Sequence, residues 1–544
     1  MSTAAMIHSP MPATASAPAS EAALKRAIAL EETASVVDNK SQVLPKSPAD
    51  TKEEAHEAVA AMEPFEHHIS LWTKATSYFT LILFLFFARV REGYRQLVPD
   101  GESHVRPGYA PIVKDFDHYW NRRFYRRIRD CFMRPIDSRP SRVIGLMERV
   151  SKDYNNTFEY TGRVVPAVNL GSYNYLGFAE DTQSITHEVL DSIDDFGLAS
   201  CSAPQELGQS AAVARLEREF SDFLGKEDAI VCGMGFGTNF RGLPALFGKE
   251  ALVLSDSLNH SSLVNGVRSS GAKVKVFQHG HFDQVERYLR DAVVLGQDPS
   301  GEYKPYKRIV IIVEGIYSME GEIVNLKKFV ELKRKYKALL FMDEAHSIGA
   351  VGRTGRGVCE HCGVDPKDVD VLMGTFTKSF GSIGGYIAGD KALIQYLRQH
   401  SSIALHCDPL APPCAQQVLS VLHVLLGKDG TDLGQKRIRQ LRENSAFFRR
   451  GLMELGLVVL GDDSSPVVPV MCYNLGKLSA LSRLCLERGV AIVVVGYPAT
   501  PLLEGRVRFC VSACHTREDL QHTLDVMKEL KNYVYMDYNQ KKVQ

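Results

Sequence analysis

The sequence has no net charge and no phosphate-binding P-loop, and its number of cysteines is odd. Its 64 basic residues equal its 64 acidic residues, so no overall field favours nucleic acid. No Gly-x-x-x-x-Gly-Lys-Ser/Thr motif occurs, which excludes the helicase chemistry that Asp343-Glu-Ala-His346 would otherwise suggest. The odd number of cysteines, 11, argues against a fully paired disulfide framework and favours a reducing, cytosol-facing location. Cys359-Glu-His-Cys362 has no second Cys/His pair at a finger-like spacing, so we expect no metal site.

Residues 1–62 lack aromatic residues and any sustained hydrophobic periodicity. They are rich in alanine, serine, proline and glutamate, which predicts a disordered tail. A single arginine and several acids disfavour a mitochondrial transit peptide, and the start of the chain has no apolar core typical of a signal peptide. The sequence therefore predicts neither kind of targeting segment.

The most apolar segment follows, and it predicts a membrane-associated helix over residues 63–95. Residues 75–88 are uncharged, whereas a spanning helix needs about 20 apolar residues, so the segment could span the membrane or lie in its surface. A buried core helix and a partner-binding helix are alternatives. Arg89 and Arg91 at the end of the run would favour the cytosolic side if it spans.

Residues 96–165 predict an N-terminal linker or arm, and the remainder predicts two α/β domains. The basic cluster Trp120–Arg129 fits a solvated helix face, anionic lipid or a partner protein. From Val168 onwards, short apolar strands alternate with helical stretches. We expect a large domain with a mainly parallel sheet over residues 166–425 and a smaller C-terminal α/β domain over residues 426–544.

Two apolar runs of strand length end abruptly in ionisable residues. Residues 338–343 end at Asp343, and residues 369–374 lead into Thr375-Phe-Thr-Lys378. Because the carboxyl ends of parallel strands meet in one crevice, Asp343 and Lys378 should face the same pocket. An acid and a lysine placed in this way are suited to binding pyridoxal 5'-phosphate (PLP). The lysine would form a Schiff base with its aldehyde, and the carboxylate would keep its pyridine nitrogen protonated. The alternative for Lys378 is a solvated surface residue.

Three further patterns suggest ligand contacts. Ala229–Asn239 is a strand that breaks into glycines before a helix, a geometry that binds phosphate through backbone N–H groups. His260 follows another strand and could stack on a flat ring, although a lone histidine is more often structural. Arg506 and Arg508 alternate in a strand, so both should point to one face, where either could bind a carboxylate.

Four motifs together resemble those of the α-oxoamine synthases. They are Gly171-Ser-Tyr-Asn-Tyr-Leu-Gly177, Glu314-Gly-Ile-Tyr-Ser-Met-Glu-Gly321, Asp343-Glu-Ala-His-Ser-Ile-Gly349 and Gly374-Thr-Phe-Thr-Lys-Ser-Phe-Gly381. The resemblance covers residues 65 to 535 and implies PLP fold type I, an aminotransferase-like architecture. Members of this family join an amino acid to an acyl-CoA with loss of CO2. Ser465–Pro469, Val493–Pro501 and the membrane segment resemble the branch that uses L-serine and a long-chain acyl-CoA.

The resemblance also implies roles for particular residues. For the cofactor, it implies that Lys378 is the Schiff-base lysine and that Asp343 is the partner of the pyridine nitrogen. It also implies that His346 lies beside the ring hydroxyl and that His260 stacks on the ring. On the phosphate side it implies Gly235, Phe236, Thr375 and Thr377. On the substrate side it implies Asn174 near the entrance and Arg508 for the substrate carboxylate, with Arg506 as second choice.

The expected reaction is the condensation of L-serine with palmitoyl-CoA at an endoplasmic reticulum membrane, with the catalytic domain facing the cytosol. The family's usual arrangement further implies a heterodimer with a homologous subunit that lacks the lysine. Two alternatives stay open: a synthase of the 5-aminolevulinate or 8-amino-7-oxononanoate type, and a non-catalytic membrane scaffold. One departure is notable, because Cys407-Asp408-Pro409 replaces the family's usual Ala-Thr-Ser, and an aspartate near a phosphate would repel it.

Overall fold

A computed structural model describes residues 69–97, 108–110, 119–121, 123–180, 182–297, 303–497, 499–536 and 538. The predicted disordered tail, residues 1–62, lies outside these residues. The membrane-associated helix, the arm and the two α/β domains lie largely inside them, so their contacts can be compared with the expectations from sequence.

The described residues contain strands of two to eleven residues. The strands are β1 Val143–Val150, β2 Glu159–Asn169, β3 Asp228–Cys232, β4 Ala251–Asp256, β5 Lys273–Phe277, β6 Arg308–Glu314, β7 Ile316–Tyr317, β8 Glu322–Ile323, β9 Leu339–Asp343, β10 Val371–Thr375, β11 Gly385–Gly389, β12 Val467–Met471, β13 Val490–Ala491, β14 Val493–Val495 and β15 Arg506–Cys510.

Helices connect and cover these strands. The α-helices are α1 Leu71–Leu97, α2 Gln183–Phe196, α3 Ala211–Leu224, α4 Gly235–Leu246, α5 Ser261–Ser270, α6 Phe282–Leu295, α7 Leu326–Tyr336, α8 Val358–Cys362, α9 Lys391–His400, α10 Ser402–Leu405, α11 Pro412–Leu425, α12 Leu433–Glu454, α13 Leu475–Glu487 and α14 Arg517–Tyr533. Short 3₁₀-helices occur at Tyr125–Cys131 and Pro366–Asp368, and a π-helical turn at Pro204–Gly208.

The centre of the large domain is a seven-stranded sheet in the order β3-β11-β10-β9-β6-β4-β5. The strands β10, β9, β6, β4 and β5 run parallel, and β11 is antiparallel to both of its neighbours. Apolar residues alternate between two core faces: Leu340 packs into one cluster and Phe341 into the other. The predicted mainly parallel sheet is confirmed, and helices cover both faces, as continuous apolar strands require.

The register brings the ends of the central strands to one edge. Glu314 at the end of β6 pairs with Asp343 at the end of β9, and Asp343 pairs with Met373 of β10. The chain leaves β10 at Thr375 and reaches Lys378 within the following turn. Side chains that are far apart in sequence therefore converge at the carboxyl edge of this sheet.

The small domain contains a three-stranded antiparallel sheet, β12-β15-β14. Helix α12 packs on β15 through Phe448 and Phe509, whose ring centroids lie 5.2 Å apart. Buried residues of both domains belong to one continuous hydrophobic cluster, so the small domain packs directly on the large one. As a result, β15 presents its arginines towards the carboxyl edge of the large sheet.

The arm contains a hairpin that the sequence did not predict. Strands β1 and β2 pair antiparallel, and β13 of the small domain adds to β2 in parallel. The boundary that the sequence suggested between residues 165 and 166 falls inside β2. The Nη1 of Arg142 donates to both carboxylate oxygens of Asp519 at the start of α14, at 2.7 and 2.8 Å. The arm is therefore attached to the small domain.

Helix α1 is long, apolar and mostly uncovered. Residues Leu71–Tyr94 are long and apolar enough to cross a membrane, and only 11% of the most apolar window is buried. Trp72, Phe79, Phe86 and Phe87 are among its exposed large side chains. A core helix would be buried, so the exposure disfavours that alternative and is compatible with membrane association.

Candidate active site

Asp343 is a buried carboxylate held by neutral donors. One oxygen, Oδ2, accepts a hydrogen bond from the Asn239 side chain at 2.8 Å, and Oδ1 accepts one from the Ala345 backbone N–H at 2.9 Å. Asn239 is itself fully buried on α4 and also donates to the Ser262 hydroxyl at 3.0 Å. Within the described part of the chain no Lys, Arg or His pairs with Asp343 at ion-pair distance. The carboxylate is thus fixed in direction and free to pair with a cation from a ligand.

Lys378 lies in the same pocket, as its spacing from β10 predicts. Its Nζ donates to the Thr375 hydroxyl at 3.4 Å and lies 5.8 Å from the centroid of the Tyr173 ring. Burial lowers the pKa of Lys378 to about 8, although the Asp343 and Glu314 carboxylates oppose that shift. A lysine with this pKa is partly neutral near physiological pH. An amine must be neutral to attack an aldehyde, so this fraction of Lys378 can act as the nucleophile.

Two histidines lie on the other walls of the pocket. The Nδ1 of buried His346 is paired with the Tyr175 hydroxyl at 2.7 Å, and its ring meets Tyr173 edge-on at 5.3 Å. Burial, and then the Lys378 charge, hold the pKa of His346 well below its usual value, so its ring is neutral.

His260 caps the start of α5. Its ring opens to solvent through the cleft, and its Nδ1 is paired with the Ser262 hydroxyl at 2.8 Å. Its backbone N–H donates to the Glu314 carboxylate, which fixes the start of α5 against the end of β6. Desolvation by the surrounding protein lowers the pKa of His260 although Asp343 opposes the shift. The ring is therefore a neutral, flat surface at the mouth of the cleft.

The start of α4 forms a close-fitting turn beside Thr375. A Cβ atom on Gly235 would lie 3.1 Å from Thr375 Cγ2 and 3.3 Å from the Gly384 carbonyl oxygen, so this approach favours glycine. The first N–H groups of the helix, from Gly235 and Phe236, have no intrahelical acceptor. The Thr377 hydroxyl donates to that of Thr375 at 3.2 Å. This arrangement of helix N-terminus and hydroxyls fits a phosphate group.

Arg506 and Arg508 share one face of β15 and are both buried, yet their surroundings differ. Arg506 pairs with Glu320 at 3.1 Å and with Glu504 at 2.9 Å. Arg508 has no carboxylate within 4.0 Å among the described residues; it contacts the Tyr173 hydroxyl and, at 3.7 Å, the Met319 sulfur. Its Nε has no partner in this part of the chain. Arg508 is therefore the guanidinium that can receive an anion from a ligand.

Both ends of the Asn174 side-chain amide form hydrogen bonds with the backbone. Its Nδ2 donates to the Pro140 carbonyl at 3.1 Å, and its Oδ1 accepts from the Ala179 N–H at 3.2 Å. These bonds favour a structural role that joins the arm to the loop after β2. That Asn174 binds substrate stays a prediction.

Three side chains in the pocket were not predicted as site residues: Asn239, Tyr173 and Glu314. All three lie inside the quoted motifs, but only the fold shows which way they point. Tyr173 contacts Lys378, His346 and Arg508, so its ring forms the floor between the two domains. Glu314 is buried beside Asp343, and desolvation followed by the Asp343 charge raises its pKa well above the usual value.

The pocket thus brings together the chemistry that PLP requires. One crevice is lined by a fixed carboxylate, a partly neutral lysine, a flat neutral ring and an anion-binding helix start. An unpaired guanidinium closes it from the small domain.

The family model described as aminotransferase class I and II matches residues 165–527. Serine palmitoyltransferase 2 of Dictyostelium discoideum is 47% identical over 86% of this chain and 95% of its own length. Serine palmitoyltransferase 3 of Homo sapiens is 48% identical over 81% of this chain and 80% of its own.

The chain belongs to the serine palmitoyltransferase family. Among solved structures it is similar to Sphingomonas wittichii serine palmitoyltransferase, with a TM-score of 0.68 and 25% identity over 78% of this chain and 99% of that chain. It is also similar to an SPT structure that contains PLP, with a TM-score of 0.63 and 25% identity over 72% of this chain and 93% of that chain.

These similarities confirm the expected fold type I architecture and PLP as the cofactor. They also establish the chain as a PLP-dependent enzyme of the acyltransferase class, which excludes the non-catalytic scaffold.

Proposed function

We propose that the chain is the catalytic long-chain-base subunit 2 of a serine palmitoyltransferase. It condenses L-serine with palmitoyl-CoA, with loss of CO2, to 3-ketosphinganine, the first step of sphingolipid synthesis. The observation that supports the proposal for this chain's own residues is that Lys378 and Arg508 both lie beside the Tyr173 ring. The Lys378 Nζ lies 5.8 Å from the Tyr173 ring centroid, and the Arg508 Cζ lies 4.9 Å from it. Both cations therefore border the same aromatic ring.

The residues present fit PLP, so each can be given a role. Asp343 would hold the pyridine nitrogen in its protonated form, and His260 would cover one face of the ring. His346 would lie beside the ring hydroxyl. Gly235, Phe236, Thr375 and Thr377 would bind the phosphate through N–H and hydroxyl groups. When bound, PLP supplies an electron sink for the charge that develops on the substrate's α-carbon.

The remaining steps are performed by this chain's side chains. Arg508 binds the carboxylate of L-serine through its guanidinium and orients the Cα–H bond towards Lys378. The Lys378 Nζ would hold the cofactor through the aldehyde carbon. As a free amine, with its pKa lowered to about 8 by burial, Lys378 would remove the α-proton as a general base. Protonated Lys378 can then return a proton to the same carbon after CO2 has left.

An apolar cavity supports a long-chain substrate. It has a volume of about 800 Å³ and lies between α1, the arm and the small domain. Its walls are mainly aromatic and aliphatic, among them Phe84, Phe87, Trp120, Phe124 and Val494. Arg123 and Arg127 also line it. We place the enzyme at the endoplasmic reticulum membrane through α1, with the catalytic domain on the cytosolic side, where acyl-CoA is available.

The proposal includes a partner subunit that is homologous and lacks the lysine, so that one active site of the heterodimer uses Lys378 of this chain. The departure at Cys407-Asp408-Pro409 is consistent with that arrangement, because an aspartate there would weaken a phosphate contact made across the interface.

The test is the product formed by the purified chain with its co-purifying proteins. Supplied with palmitoyl-CoA and either L-serine, glycine or L-alanine, it should release 3-ketosphinganine from serine, detected by mass spectrometry. Lys378→Ala, prepared in the same way, should release none. Preference for glycine or alanine would instead assign the chain to a 5-aminolevulinate or 8-amino-7-oxononanoate type of synthase and overturn the proposal.

A further inference from the structure

Asn239 and Ser262 form a buried hydrogen-bonded chain between Asp343 and His260. The Asn239 Nδ2 lies 2.8 Å from the Asp343 Oδ2 and 3.0 Å from the Ser262 hydroxyl oxygen. That hydroxyl is paired with the His260 Nδ1 at 2.8 Å, and the Ser262 backbone N–H donates to the same Nδ1 at 3.3 Å. Only 0% of Asn239 and 2% of Ser262 are exposed, so bulk water has little access to these bonds.

The direction of each bond follows from the chemistry of the groups. An ionised carboxylate only accepts hydrogen bonds, so the Asn239 amide must turn its NH2 group, and not its oxygen, towards Asp343. The same nitrogen has a second N–H, which the Ser262 oxygen accepts. The single O–H of Ser262 then remains for the His260 Nδ1. Two donors, the hydroxyl and the backbone N–H of Ser262, therefore meet at Nδ1, which must present its lone pair to them.

We propose that Asn239 and Ser262 are positioning residues that hold the neutral His260 ring in one tautomer, with its proton on Nε2 and its lone pair on Nδ1. Nδ1 faces Ser262, whereas no residue that the structure describes forms a hydrogen bond with Nε2. His260 is exposed at the cleft. The ring therefore presents an N–H donor, and no base, to a molecule that enters the cleft.

The charges that face His260 come from other elements of the fold. Asp343 at the end of β9 favours a protonated ring, whereas Lys378 after β10 and Arg508 on β15 oppose protonation. The Glu314 carboxylate at the end of β6 accepts the His260 backbone N–H. Among the described residues none of these four groups bonds to a ring nitrogen, so the contacts of Nδ1 determine the tautomer.

The role of this tautomer in catalysis rests on the proposed function. A histidine with its lone pair on Nε2 could remove the α-proton of a bound amino acid, in competition with Lys378. With the proton on Nε2, His260 has no lone pair at the cleft, and Lys378 is left as the base. One amide thus fixes two groups, because Asn239 holds the Asp343 carboxylate directly and the His260 proton through Ser262.

The test is the reactivity of the holoenzyme towards diethyl pyrocarbonate, which an imidazole attacks through its lone pair. Peptide mapping gives separate rate constants for His260 and for His187, an exposed histidine of α2. At about pH 7.5, His260 should react at least about tenfold more slowly than His187, because its lone pair faces Ser262 rather than solvent. Ser262→Ala removes one donor to Nδ1 and releases the other tautomer, so the His260 rate should rise at least about threefold.

Ser261→Ala is the matched control, because Ser261 is the exposed neighbour of Ser262 on the same turn. Its His260 rate should stay within about twofold of the wild type. Asn239→Ala should raise the rate as well, because the Ser262 hydroxyl is then free to accept a proton from Nδ1. In the Ser262→Ala background the same change should have little further effect, since the chain is already broken. Circular dichroism shows whether each variant is folded.

Three results would overturn the proposal: a wild-type His260 rate within about tenfold of the His187 rate, a rise below about threefold in Ser262→Ala, or an equal rise in Ser261→Ala. Effects of Asn239→Ala and Ser262→Ala that multiply would show that Asn239 acts on His260 by another route. The Ser262→Ala result decides the proposal even where Asn239→Ala does not fold. No substrate takes part in this assay, so the proposed function can fail or hold independently.

Discussion

Arg506 and Arg508 point to the same face of β15 and are equally buried, yet only one of them is neutralised by the protein. Around Arg506, Glu320 and Glu504 supply carboxylates, and the Met319 carbonyl oxygen accepts a further hydrogen bond at 2.8 Å. Around Arg508, the described residues supply a tyrosine hydroxyl and a thioether. The first region joins the small domain to the loop after β7, and the second leaves a buried charge that a ligand must neutralise.

One strand therefore serves both stability, through Arg506, and ligand recognition, through Arg508. A buried guanidinium that lacks an anion lowers the stability of the protein. Proteins retain such a group where the binding of a ligand offsets that loss. The Lys378 and Arg508 charges both lie beside the Tyr173 ring. The comparison therefore predicts opposite phenotypes for matched substitutions in the two regions.

The largest effect is expected at the lysine that faces Arg508. Lys378→Ala removes the group that we propose holds the cofactor and moves the α-proton, so product formation should fall at least about a thousandfold. The visible absorbance of the bound cofactor should change at the same time, while circular dichroism stays that of the wild type. Activity within tenfold of the wild type would remove Lys378 from the mechanism.

Arg506→Met should act on stability. It leaves the half-buried Glu320 carboxyl without its partner, and breaking a buried pair costs about 3 kcal/mol of unfolding free energy. Denaturant unfolding measures the loss, and the KM for L-serine should stay within about twofold. A variant that is as stable as the wild type but binds serine poorly would show that Arg506 is the carboxylate ligand.

Arg508→Met is the matched control and should act on substrate. Losing a charge-assisted pair with the serine carboxylate costs about 2–3 kcal/mol, which is about a hundredfold in kcat/KM. Its unfolding free energy should be equal to or above that of the wild type, because the variant removes an unpaired buried charge. Unchanged kinetics with a large loss of stability would reverse the assignment of the two arginines.

A pH dependence of stability is expected in the cofactor-free protein. The pKa of Lys378 falls from 10.5 to about 8 on folding, so between these values the unfolded chain binds more protons than the folded one. Stability therefore rises with pH across that window, by up to about 3 kcal/mol relative to Lys378→Met. Urea unfolding of both proteins at pH 7.5 and 10.5 measures the difference. Parallel pH profiles would show that Lys378 is not buried as described.

Much of this architecture could be predicted because apolar strands that end in ionisable residues have few structural alternatives. The ends of β9 and β10, the glycine turn before α4 and the arginines of β15 all follow from local pattern. The β1–β2 hairpin was missed, since its exposed, charged strand residues show no clear alternation and its third strand comes from residues 490–491. Pairing between such distant segments leaves no local signal.

Residue spacing predicted which of these side chains lie near one another in the fold, but not how their charges are balanced. Alternation in β15 placed Arg506 and Arg508 together, but only the loop that carries Glu320 determines which of them is free. Similarly, Asn239 stood in a recognised motif, yet its bond to Asp343 depends on α4 crossing the end of β9. Contacts of this kind come from the packing of elements, which residue spacing does not encode.

The most direct test of the central claim, that the cofactor is held between Lys378 and Asp343, is to reduce the purified holoenzyme with sodium borohydride and map the modified peptide by mass spectrometry. We expect a phosphopyridoxyl group on Lys378 in the wild type and a greatly reduced yield in Asp343→Asn, which keeps the shape of the side chain but loses its charge. A modification on any other lysine, or none at all in protein that still makes product, would contradict it.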